Sequence, residues 1–61
     1  MKREQIIKGL RFYLGNYTPR NNEYEKGLKY RLFVDSVPTG YTFETLKQGR
    51  EFIKKNYFIW L

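Results

Sequence analysis

From Leu28 to Asp35 the chain reads LKYRLFVD, an unbroken alternation that sets Leu28, Tyr30, Leu32 and Val34 on one side and Lys29, Arg31, Phe33 and Asp35 on the other. A period of two is the signature of a β-strand with one face on a core. Such a strand needs company, because a lone hairpin is marginal in water. The next residues, SVPTG, contain Pro38 and Gly40; proline presets a negative φ and glycine tolerates a positive one, so the turn is expected here. YTFE is then the return strand, which places the two expected strands at about 28–35 and 40–44.

The cover for this hairpin is sought in the flanking segments. TLKQGREFIKKN opens on Thr45 with Gln48 three residues on, a capping box, and its Leu46, Gly49, Ile53 and Tyr57 share one helical face. A helix is expected over about 45–56. Gly49 is costly in a helix, by about 1 kcal/mol relative to alanine. Its place on the inward stripe implies a close helix–sheet crossing, and the other reading is an approach route for a ligand. In KREQIIKGLRFYLGNY the apolar positions Ile6, Leu10, Tyr13 or Leu14, and Tyr17 recur at helical spacing before Gly15-Asn16. That predicts a second helix over about 3–14; the competing reading is a strand, since Leu10, Phe12 and Leu14 also alternate and Gly9 weakens a helix. The stretch over about 15–27, rich in Asn with Pro19 and Gly27, is expected to be a loop. The closing YFIWL, 57–61, reads as a third strand or a packed tail with Trp60 as core anchor, or as a dimerisation or partner-docking patch. The expected architecture is α+β, a single small domain with the order helix, β-hairpin, helix and a short terminal strand. Both helices are expected on one face of an antiparallel sheet.

With 61 residues there is room for one small core. The chain has no cysteine and no histidine, which argues against the common zinc, haem and iron–sulfur sites and against a disulfide scaffold; no cofactor or metal is expected. Six tyrosines, five phenylalanines and Trp60 must supply the buried area instead. The usual nucleophile–base pairs are missing, the carboxylates show no catalytic spacing, and glycines 9, 15, 27, 40 and 49 fit no phosphate cradle. An enzyme is therefore not expected. MKREQIIKGL lacks a signal-peptide core and no stretch has the apolar length of a membrane span, so the expected compartment is the cytoplasm.

The formal charge of +6 favours an anionic partner. Two features locate it. Lys47, Arg50 and Lys54 stand at i, i+3 and i+7 and line one stripe of the second helix, with Lys55 at its edge; the alternatives are a solvated face and a phosphate track. On the outward side of the first strand Lys29 and Arg31 flank Phe33, a surface on which a base could stack beside bound phosphates, or a ribbon that could enter a groove. If another element covers that side, Phe33 is core. Lys8 and Arg11 add charge from the N-terminal segment.

YRLFVDSVPTGYTFETLKQGREFIKKN resembles the strand–turn–strand–helix pattern of short proteins from phages and mobile elements and, more loosely, the arm-type DNA-binding domains of tyrosine recombinases. The second resemblance implies a sheet that enters DNA with a helix behind it, with Lys29, Arg31 and Phe33 at the interface. The first implies a small inhibitor or regulator of a host protein or ribonucleoprotein complex. Two functions thus stand as expectations: a nucleic-acid-binding module using Lys29, Arg31, Phe33, Lys47, Arg50 and Lys54 with Lys8 and Arg11, and a protein-binding regulator. A subunit that forms a homodimer through its C-terminal segment is a third.

Overall fold

The computed structural model describes residues 2–61. The N-terminal segment is a β-hairpin, not the expected helix: β1 (Glu4–Ile7) and β2 (Leu10–Asn16) pair antiparallel, with Ile7 opposite Leu10. Lys8 and Gly9 form the two-residue turn with φ of 53° and 83°, the twist that a tight hairpin favours. The reason the strand wins lies in Phe12. On the helical stripe Ile6–Leu10–Leu14 its ring falls off the buried face, whereas in β2 the side chains of Leu10, Phe12 and Leu14 all point one way. Phe12 and Leu14 are fully buried there.

The second hairpin follows the alternation. β3 (Tyr30–Val34) pairs with β2, Leu32 opposite Leu14 and Val34 opposite Phe12, so the two strongest apolar pairs meet on the same face. The turn is tighter and earlier than expected. Asp35 and Ser36, with φ of 49° and 68°, make it, and β4 runs from Val37 to Phe43 rather than from 40 to 44. Pro38 therefore lies inside a strand; the position is tolerated because β4 is an edge strand, where a missing N–H leaves no partner unsatisfied. Register slips between Arg31 and Phe33, and the Thr39 hydroxyl donates to the Leu32 carbonyl at 2.8 Å across the irregularity. The result is a four-stranded meander in the order β1-β2-β3-β4.

One helix covers one face. α1 (Leu46–Asn56) starts at Thr45, whose hydroxyl accepts from the Gln48 N–H at 3.1 Å, while the Gln48 side-chain oxygen accepts from the Glu44 N–H at 3.1 Å. Gly49 is a packing residue: a Cβ built there would stand 2.7 and 2.8 Å from the two Leu14 methyls. Ile53 completes a core with Phe12, Leu14, Leu32 and Val34. The expected terminal strand is instead a 3₁₀ turn, Tyr57–Trp60, whose Trp60 packs edge-on against Phe12 at 5.7 Å and also meets Tyr41 and Phe52. With the backbone turned in this way, Trp60 reaches the core while Phe58, Ile59 and Leu61 point outward. The sheet faces α1 on one side only, so the described fold is α+β with a four-stranded sheet and a single helix.

Candidate functional site

Strand parity sorts the side chains of the central strands. On β2 the residues between the core positions are Arg11, Tyr13 and Gly15; on β3 they are Arg31 and Phe33. All five belong to the sheet face that α1 does not cover. Tyr13 stands directly opposite Phe33, and Gly15 opposite Arg31. The two rings meet edge to face with centroids 6.5 Å apart. Gly15 makes room for this arrangement, since a Cβ at that position would lie 2.7 Å from the Phe33 ring. The N-terminal segment widens the sheet instead of covering it, so Phe33 is half-buried on an open face.

The rings are flanked by cations. The Arg31 guanidinium lies over the Tyr17 ring, 4.8 Å from its centroid, a cation–π contact that compensates for an Nε buried without a hydrogen-bond partner. Arg11 reaches Glu4 at 3.7 Å and donates to the Ser36 hydroxyl, and its backbone N–H donates to the Asp35 carboxylate at 2.9 Å. Lys29 is exposed just ahead of β3 and is tied into the sheet by backbone bonds to Tyr17 and Phe43. Between Arg11, Tyr13, Gly15 and Phe33 lies a shallow depression of about 390 Å³.

The acidic groups nearby are held by neighbours. The Tyr17 hydroxyl donates to Glu25, which also accepts from the Asn22 amide at 3.1 Å and lies 3.9 Å from Arg20. These bonds hold the Glu25 carboxyl below its ordinary range, the Tyr17 hydroxyl foremost. The same bond, with some burial and the nearby carboxylate charge, raises the Tyr17 phenol. The 17–29 loop is thereby fastened to the edge of the open face, with Tyr17 serving both Arg31 and Glu25.

The helix stripe sits elsewhere. Lys47, Arg50 and Lys54 run along the side of α1 nearest β1, bordering a groove of about 380 Å³ that Gln5, Ile7, Glu51 and Tyr57 also line. Arg50 is partly structural: it donates to the Lys2 carbonyl at 2.7 Å and, with the Gln5 amide oxygen turned toward it, to Gln5 at 3.1 Å. Lys8 is in the β1–β2 turn. Of the expected site residues, the fold therefore brings Arg11, Lys29, Arg31 and Phe33 to one face and sets Lys47, Arg50 and Lys54 behind the sheet. Tyr13, Gly15 and Tyr17 were missed by the helical reading of the N-terminus. The signal for them was the odd-numbered set Arg11, Tyr13 and Gly15, interleaved with Leu10, Phe12 and Leu14.

Chemically, the open face offers the Tyr13–Phe33 ring pair with the guanidinium groups of Arg11 and Arg31 on the same side of the sheet. Among the described residues no helix is long and apolar enough to cross a membrane. No family model matches this sequence, and no curated protein or solved structure matches it.

Proposed function

We propose that this chain is a small nucleic-acid-binding module, acting in the cytoplasm without catalysis, and that the open sheet face is its contact surface. The observation that carries the reading is the cross-strand pair Tyr13–Phe33, placed on the two central strands opposite the helix and bracketed by Arg11 and Arg31. Aromatic side chains on the central strands of an antiparallel sheet stack bases, and flanking cations neutralise phosphates. Binding should weaken steeply between about 50 and 300 mM salt. Replacing Phe33 with Leu keeps an apolar group over Gly15 and removes the stacking surface; it should weaken binding about tenfold or more, a stacked base being worth roughly 1–3 kcal/mol. Unchanged affinity in that variant would refute the contact surface.

A second reading rests on the C-terminal turn. Phe58, Ile59 and Leu61 are 61%, 52% and 64% exposed, an apolar group of the kind that docks proteins. In that reading the chain is a phage-type regulator of a host protein or ribonucleoprotein complex. It favours substitution effects at Phe58 and Ile59 over effects at Phe33, so one panel of variants separates the two.

A further inference from the structure

We infer that the ligand is a single strand rather than a duplex, and that it passes from the open face around the β1 edge onto the Lys47–Lys54 stripe of α1. The inference rests on the nucleic-acid reading above and concerns the form and path of the ligand. Its starting point is an asymmetry in α1. The side toward β4 is aromatic, with Phe52 packed at a tilt on Tyr41, ring centroids 4.5 Å apart, and close to Trp60. The side toward β1 carries Lys47, Arg50 and Lys54 along one groove with Glu51 among them, a net positive lining. A strand crossing the open face therefore has a charged exit over β1.

The β1 edge is suited to such a crossing. The strand is four residues long. Ile6 is 69% exposed at its outer face, an apolar rest for a base, and Glu4 is engaged by Arg11. Arg50 occupies the Lys2 carbonyl near the edge, which discourages a fifth β-strand there and leaves the margin to side-chain contacts.

Geometry selects the strand form. The stacking pair and the lysine stripe lie on opposite sides of the sheet, and the molecule is only 16 Å across its thinnest axis. From β3 to β1 is about 10 Å at ordinary strand spacing. The stripe from Lys47 to Lys54 adds about 10 Å of helix rise. Reaching both within that distance means reversing direction around an edge. Duplex DNA, with a persistence length of about 50 nm, does not bend so sharply, whereas a single strand does.

The test is anisotropy titration with labelled single-stranded oligomers of about 4 and about 12 nucleotides, as RNA and as DNA, and with a duplex of the longer sequence, within the site sizes known for small domains. The expected result is binding of the longer single strand about tenfold more tightly than the shorter, with the duplex weaker than either long strand. In Lys47→Gln/Lys54→Gln the length advantage should fall toward unity and the salt slope should drop by about 1.4, twice the single-strand value per phosphate. Both lysines are exposed, so folding is checked simply by the thermal midpoint. An unchanged length advantage in the double variant, or a duplex that binds as tightly as the long strand, would overturn the wrapped path. If the short oligomer still binds in a Phe33-dependent way, the open-face reading survives that failure. If no oligomer binds the unmodified chain, both fall together.

Discussion

Replacing Gly49 with alanine opposes two effects of known size. In an isolated helix the change is stabilising by about 1 kcal/mol. In this fold the new Cβ would stand 2.7 and 2.8 Å from the Leu14 methyls, and Leu14 is fully buried between the sheet and α1. It has no solvent to retreat into. Overpacking of this kind costs about 1–3 kcal/mol, so the net change is a destabilisation of about 1 kcal/mol, the midpoint of the difference between the two terms. For a domain of 60–100 residues that lowers the thermal midpoint by about 4–8 °C. Leu14→Val isolates the cause, because it removes the methyls and leaves contact only at the level of Cγ, 3.3 Å away. In that background Gly49→Ala should become neutral or stabilising, giving a coupling of about 1–2 kcal/mol in a double-mutant cycle. Urea unfolding followed by Trp60 fluorescence reads all four proteins. A Gly49→Ala protein that is more stable than its parent would refute the close crossing. Unchanged stability with lost binding would instead make Gly49 an approach point for a ligand.

Three further outcomes are expected. Lys8→Asn places Asn-Gly in the β1–β2 turn, where both residues have positive φ; it should stabilise the fold by several tenths of a kcal/mol, measured by urea unfolding, whereas a helical N-terminus would be destabilised. Gly15→Ala brings a Cβ to 2.7 Å from the Phe33 ring; the ring should tilt, and oligonucleotide affinity should fall by about tenfold while the thermal midpoint moves less than it does for Gly49→Ala, because Phe33 can yield toward solvent. Because its folded-state pKa is lowered, Glu25 contributes stability that is present above the ordinary carboxylate value and is lost as pH falls through the lowered one; Tyr17, raised, contributes below about pH 10 and loses it as pH rises further. Carbon-detected NMR titration of Glu25 should thus give a midpoint below that of an unfolded control, and Tyr17→Phe should move it back up.

The parts of the fold visible in the residues were those where a period and its punctuation agree. β3 alternates without interruption, and its buried residues are the expected Leu32 and Val34. α1 begins at the expected Thr45, and Gly49 falls on the expected inward stripe. The N-terminal hairpin was ambiguous because LRFYL satisfies both periods at once. What resolves it is tertiary: β3 offers Leu14 and Phe12 direct cross-strand partners in Leu32 and Val34, a gain that no local pattern displays. The β3–β4 turn was placed late because Pro38 and Gly40 are the stronger turn residues in isolation. Asp35 and Ser36 take the positive φ values instead, and Pro38 is accommodated at an edge. On the open face, the outward parity of Arg31 and Phe33 was legible from β3 alone. Tyr13, Gly15 and Tyr17 depended on the pairing of β2 with β3, and the separation of the lysine stripe from the aromatic face depended on which side α1 packs.

The most direct test of the open-face account is to titrate ¹⁵N-labelled protein with a single-stranded oligomer at about 50 mM salt, where phosphate contacts are strong, and to map the amide shifts. The account expects the largest changes at Tyr13, Gly15, Arg31 and Phe33, with smaller ones at Lys47 and Lys54. Shifts confined to Phe58, Ile59 and Leu61, or no shifts at that salt, would contradict it.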